Sequence, residues 1–382
     1  MKNAKRIIRR VAVAAGIGLL ALIVLLLISE IGFRLFYPQT MLTPRYDYLP
    51  EIGIINFPNV TMKHRKPGVF HYTYTVNAER YRGELIPFDS PTSKIVVLGD
   101  SHSFGIGVRD DEIYSYLLNK ILAGRYQVVN LSNGGWGLTQ EIARFLSFGS
   151  NYHSNVLILQ FADNDPADNM LTPLVTWDAT KKSFALRPIQ QQRVNMFRRM
   201  VACCRPVYTL LTGYSQTYNF FRDHLYRLMA RRDREQNFGQ YLSGQTTATA
   251  STEGKRNDLK IVQPAKAKAV LAKSSARSTS KPGARKPSPA EVYYADLLDH
   301  FARYLKDSGI QLVMISVQGH LDRFPSIKDK VMALRDGGYL AYLETRDWFE
   351  LDRSYASPEG HVWGSKAHAR IAEELGKYLT KP

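Results

Sequence analysis

Residues 11–28, VAVAAGIGLLALIVLLLI, are eighteen positions without a charge. In hydrocarbon every backbone N–H and C=O must be paired internally, so a run of this kind folds as a helix. With Ile31 and Phe33 following, it is long enough to cross an apolar layer of ~30 Å. Lys2, Lys5, Arg6, Arg9 and Arg10 precede it and Glu30 is the first charge after it. By the positive-inside rule this leaves residues 1–10 as a cytoplasmic basic tail and puts the remainder outside the cytoplasm. The following SEIGFRLFYP has no small-x-small cleavage pattern, which predicts a retained anchor over 11–33 in the cell (inner) membrane, with the bulk of the chain facing the periplasm or exterior.

The net charge of +17 sits largely in that tail and in residues 243–289. The latter stretch, rich in Ala, Lys, Ser, Thr and Pro without an aromatic residue, predicts a disordered basic linker. No zinc-finger spacing, RNP-type motif or basic Gly-x-x-Gly loop accompanies the charge, so no nucleic-acid partner is expected. The two cysteines, Cys203 and Cys204, are adjacent and unsuited to an ordinary bridge with one another.

Between these segments the chain alternates. Residues 94–99 (KIVVLG), 126–132 (YQVVNLS) and 155–161 (NVLILQF) read as buried strands, and 110–124 and 139–149 carry helical spacing. After a break the pattern resumes with helix 290–309, strand 310–318, a helix near 326–336, strand 339–344 and a C-terminal helix. Such alternation predicts βαβ units around a parallel sheet. One α/β domain (91–170 and 290–382) is therefore expected, preceded by an extended approach segment (40–90) and interrupted by a helical insertion (171–242). The aromatic helices of the insertion read as a cap packed on the sheet or, alternatively, as a lid or membrane-lying surface that meets a lipid-linked or polymeric substrate.

In open α/β sheets ligands bind beyond the carboxyl ends of the strands. There the sequence places Gly99-Asp100-Ser101, then NLSNGGWGLTQ (130–140), then FADNDPADN (161–169), and near the end SPEGHVWGSKAH (357–368). A serine hydroxyl needs an adjacent base to become a nucleophile. The oxyanion formed on attack needs donors already aimed at it, for which a serine N–H, a turn glycine N–H or an asparagine amide serves.

In this order the four blocks resemble the SGNH (GDSL-type) hydrolase superfamily, and VNAERYRG (76–83) is similar to a turn of its membrane-anchored bacterial branch. The resemblance implies a three-layer α/β/α, flavodoxin-like sandwich with a parallel sheet. It assigns Ser101 as nucleophile, His361 as base, and Gly135 and Asn164 as oxyanion donors. It implies an esterase acting through an acyl-enzyme on an O-acyl, most simply O-acetyl, ester of a carbohydrate or glycolipid. Transfer of the acyl group to a cell-surface polysaccharide or glycolipid, and a non-catalytic polysaccharide-binding or assembly role, are the alternatives.

The acid usual three residues before the histidine is replaced by Pro358. Glu359 or Asp352 is left to orient His361, as is a backbone carbonyl; a Ser–His dyad, or His368 as base, are further readings. His102, next to the nucleophile, is expected to be a wall residue and His320 a pocket residue or otherwise a surface one. Asp163 and Asp165 lack a matching ligand cluster, so neither a metal nor another cofactor is expected.

Overall fold

The computed structural model describes residues 2–187, 204–225, 228, 286–350 and 352–381. Of the expected linker only 286–289 fall among these, and Cys203 and much of the insertion lie outside them.

Helix α1 (Lys2–Phe36) runs beyond the expected span at both ends. It is long and apolar enough to cross a membrane, and the side chains of its apolar stretch are not covered by the rest of the protein. The approach segment then forms five short strands: β1 (Met41–Thr43), β2 (Asp47–Leu49), β3 (Gly53–Ile55), β4 (Val60–Lys66) and β5 (Phe70–Val76). β1, β4 and β5 make an antiparallel sheet in the order β1-β4-β5, and β2 and β3 make a hairpin.

The remaining chain builds the α/β body. It contributes β6 (Ser93–Leu98), α2 (Ser101–Phe104), α3 (Tyr114–Ile121), β7 (Tyr126–Asn130), α4 (Leu138–Ser147), β8 (Val156–Phe161) and α5 (Asp165–Asn169). Next come β9 (Val175–Asp178), β10 (Ser183–Leu186) and α6 (Arg205–Tyr214), with a further helical stretch over 216–225. The last elements are α7 (Pro289–Asp307), β11 (Gln311–Ser316), α8 (Pro325–Asp336), β12 (Ala341–Glu344) and α9 (Ser365–Thr380).

β6, β7, β8, β11 and β12 pair in parallel in the order β7-β6-β8-β11-β12. Numbered within the sheet this is 2-1-3-4-5, the flavodoxin-like order, with its reversal of direction between β6 and β8. Period-two alternation sends Val96 and Leu98 to one apolar layer with α4, α7 and α8, and Ile95 and Val97 to the other with α3 and α9. The expected three-layer α/β/α sandwich is therefore what the chain forms. Full burial of aliphatic side chains on both faces, each worth ~1.5–3 kcal/mol, holds the sheet in place.

Two expectations change. Residues 175–186 of the insertion are a β-hairpin rather than helix, with Asp178 accepting the Thr180 and Lys181 N–H groups at its turn. Trp177 and Phe184 of the hairpin pack on His300, Phe301 and Tyr304 of α7. The described helices of the insertion do not cap the central sheet either. α6 lies against β1, where a Cβ at Gly213 would stand 3.4 Å from Thr43.

Inside α4, Glu141 is fully buried, and neither carboxylate oxygen has a hydrogen-bond partner among the described residues. Burial, reinforced by the charge of Asp100, raises its pKa well above the usual carboxylate range. A raised pKa favours the fold fully below the unfolded-state pKa, and that contribution is lost as pH rises. Glu141→Gln is therefore expected to melt a few degrees above the parent at pH 8, as about 1–2 kcal/mol would produce, and to lose that advantage by about pH 4.5. Thermal melts at the two pH values check this; an equal offset at both would exclude ionisation of Glu141 as the cause.

Candidate active site

The turn after β6 is held from the neighbouring strand. Gln160 on β8 accepts the Asp100 N–H at 3.1 Å and the Ser103 N–H at 3.3 Å through its side-chain oxygen. This contact requires glycine at 99, because a Cβ there would stand 2.6 Å from Gln160 Oε1 and 2.8 Å from Ser103 Oγ. Asp100 caps α2 by accepting the His102 N–H at 2.8 Å, and it also pairs with His102 Nδ1 at 3.1 Å. Burial alone would raise its pKa, but the charge and hydrogen bonds of His102 pull it down to about 2. At the other end of α2, the buried Arg82 donates to the carbonyls of Phe104, Gly105 and Val108 and pairs with Asp110 at 2.6 Å. Arg82 lies in the VNAERYRG turn, so the motif marked the place but not the side chain's task.

Ser101 opens α2, and its Oγ lies 2.8 Å from His361 Nε2. His361 Nδ1 is hydrogen-bonded to the Glu359 carboxylate. In a neutral imidazole an Nδ1–H donated to Glu359 leaves Nε2 as acceptor for the serine proton. A glutamate only two residues before the histidine reaches back because the loop turns sharply. Gly360 has φ +119°, its N–H reaches the Ser357 carbonyl at 3.0 Å, and the Ser357 N–H reaches the His361 carbonyl at 2.8 Å.

Burial alone would lower the His361 pKa, but the Glu359 hydrogen bond and charge, with Asp100 behind them, raise it above the ordinary histidine value. Burial would raise Glu359, yet the hydrogen bond and charge of His361 hold it below the usual range. Of the two acids left open by the sequence, Asp352 is exposed and accepts the Ser354 N–H of its own turn at 2.6 Å; it does not approach His361. His368 is no alternative base. It is fully buried, its Nδ1 accepts the Tyr114 N–H at 3.1 Å, and burial depresses its pKa to about 3.

Ser101 and His361 open onto a cavity of about 270 Å³ lined also by Thr40, Leu42, Arg45, Tyr46, His64, Ile106, Gly134, Gly135, Asp223 and Glu359. Gly135 has φ +76°, and a Cβ on Gly134 would stand 3.8 Å from the Ser101 Cβ. Among the described residues, the N–H groups of Ser101 and Gly135 are not donated to any protein acceptor. Asn164 lies in the loop after β8, immediately before α5, but its amide donates to Asp168 at 2.8 Å and it does not line this cavity. An amide carries two N–H donors, so one remains for another acceptor.

Five wall residues, Thr40 to His64 in the sequence, come from the approach segment, which no motif had marked as part of the site. Among them His64 bonds Tyr74 Oη at 2.7 Å, and burial depresses its pKa to about 4. His102, expected as a wall residue, stands edge-on to His361 at 5.0 Å between ring centroids and is a partner of Asp100, but it does not line the cavity. His320 accepts the Asp163 N–H at 3.2 Å, and Asp163 pairs with Arg323. Asp165 is buried and accepts the Ala162 N–H at 2.9 Å.

No family model matches the chain, and no curated protein matches it. Solved structures similar in shape include TesA, at 12% identity and TM-score 0.39, over 75% of this chain and 98% of that one. Esterase EstA from Pseudoalteromonas sp. matches at 8% identity and TM-score 0.37, over 76% and 100% of the two chains. A GDSL-like lipase from Bacteroides thetaiotaomicron matches at 10% identity and TM-score 0.34, over 75% and 87%. The second of these is described as an esterase and the third as a GDSL-like lipase.

Proposed function

We propose that this chain is a membrane-anchored, extracytoplasmic serine esterase of the SGNH type, acting on an O-acyl ester of a carbohydrate or glycolipid. The observation that carries the reading is the continuous Ser101–His361–Glu359 hydrogen-bond chain opening onto the cavity. Ser101 Oγ attacks the ester carbonyl carbon while its proton passes to His361 Nε2, and Glu359 stabilises the imidazolium so formed. The N–H groups of Ser101 and Gly135 receive the developing oxyanion, with the second N–H of the Asn164 amide as a further donor. Collapse expels the alcohol, which takes the proton from His361 and leaves an acyl-serine. Water, activated by the same histidine, then releases the acid; a sugar hydroxyl in place of water makes the reaction an acyl transfer.

The lining supports a short acyl group and a hydroxylated partner. Apart from Leu42, Ile106 and the two glycines, the wall consists of hydrogen-bonding or charged side chains, with Tyr46 as an aromatic surface. α1 supports the anchor, and the basic residues before its apolar run support the outward placement of the site.

Detergent-solubilised protein is expected to release nitrophenol from p-nitrophenyl acetate, and Ser101→Ala and His361→Ala each to lower kcat by about 10³-fold or more. Release undiminished in both would remove the assignment. Mass analysis with an oligosaccharide present distinguishes acetyl passed to water from acetyl passed to sugar.

His361 works as a base only when neutral, and its raised pKa places the acid limb of the kcat/KM profile above pH 6.5. Glu359→Gln removes the main cause of that elevation. It is expected to shift the limb to lower pH and to cut kcat by on the order of 10²–10⁴-fold. A profile that keeps its position in this variant would show that another group orients His361.

A further inference from the structure

The two helices of the insertion nearest α1 are built inside out. In α6, Val207, Leu210 and Tyr214 are 55%, 59% and 59% exposed, and in the following stretch Phe221 and Leu225 are 61% and 54% exposed. Their spacings of three, four and four residues put each set on one helix face. Apart from Gly213, the buried residues of the two helices are polar: Thr212, Gln216, Thr217 and Asn219. A helix in water turns its apolar stripe inward, and a contiguous exposed apolar patch marks a surface for another apolar phase.

The identity of that phase follows from what the pair is fastened to. Glu30, the first charge after the apolar run of α1, accepts the Gln216 and Thr217 N–H groups and the Ser215 hydroxyl, each at 3.0 Å. Arg34, one turn later, donates to the Tyr214 carbonyl at 2.7 Å. The carboxylate thus meets the amino end of the 216–225 helix and the guanidinium the carboxyl end of α6, each with the sign the helix dipole favours. Ser29 bonds Thr217 at 3.1 Å, and the rings of Phe33 and Phe220 stack at 4.6 Å. The fastening therefore begins where the eighteen-residue apolar run stops, which in a spanning helix is the level of the lipid headgroups.

We propose that the exposed apolar faces of α6 and residues 216–225 lie in the outer interface of the same bilayer that α1 crosses, as an interfacial helix pair. Asp223 on the second helix lines the Ser101 cavity and pairs with Arg45 at 3.0 Å, so this docking holds the mouth of the cavity next to the headgroup layer. The ester that reaches Ser101 is then one displayed at the membrane surface. This rests on reading α1 as a membrane anchor, and the experiment separates the two.

The full chain, with Cys203→Ser and Cys204→Ser, is reconstituted in phosphatidylethanolamine/phosphatidylglycerol vesicles and carries one nitroxide label at a time. The labelled variants are Leu210→Cys, Phe221→Cys, Leu20→Cys in α1 and Lys306→Cys at the far, amino-terminal edge of the sheet. Leu225→Cys is a third reporter on the same face if either of the first two fails to fold. Collision with oxygen, relative to a water-soluble nickel chelate, is expected to be several-fold higher at 210 and 221 than at 306, and highest at 20. Values at 210 and 221 equal to 306, with 20 still high, overturn the proposal while leaving the anchor. A low value at 20 overturns the anchor, and the proposal with it.

Discussion

Parallel pairing of β6 with β8 and β7 is the constraint on which the chemistry depends. It brings all the strand carboxyl ends to one edge, and the change of direction between β6 and β8 leaves a crevice there that no crossover covers. Ser101 stands at that edge. Gln160, from the adjacent strand, fixes its turn through two backbone N–H groups, each such bond worth ~1 kcal/mol but rigid in a buried setting. His361 comes from 260 residues further along the chain and meets the serine because its loop is pinned on the opposite side. α9 packs on α3, with His368 accepting the Tyr114 N–H. The two halves of the site are thus fixed to one sheet before they are fixed to one another.

This division explains what could be read from residues alone. β6 and β8 are buried on both faces, so each reads as a near-continuous apolar run (IVVL and VLIL), and their bounds fall within a residue or so of those expected. Ser101, Gly135 and His361 lie at the carboxyl edge of the sheet, and topology brings them to one cavity whatever the intervening sequence; Asn164 follows β8 but does not line that cavity. Choosing Glu359 over Asp352 depended on the backbone at Gly360, since φ +119° folds a glutamate two residues upstream against the imidazole. Spacing carries no record of that angle. The β9–β10 hairpin escaped notice because four-residue strands are too short to establish a period, and its aromatic residues suit a helix equally well. The cavity wall from Thr40 to His64 was invisible because its link to Ser101 exists only in three dimensions.

The aromatic, helix-forming stretch around 205–225 shows a different limit. An apolar stripe at helical spacing ordinarily means a face turned toward a core, which favours a cap on the sheet over the alternative of a lid or membrane-lying surface. Periodicity identifies the stripe but not the phase it faces. The deciding information lies in the opposite face, where Thr212, Gln216, Thr217 and Asn219 find partners inside the protein. With those side chains turned inward and both helix ends met by α1, the apolar stripe has only the outside left to face. On the proposed interfacial placement, the helix that carries Asp223 to the cavity is the one whose fit to its surroundings depends on the membrane. α1, the α6/216–225 pair and the cavity wall form one connected unit; on the same proposed placement, Glu30 sets the depth and Asp223 passes it on to the site.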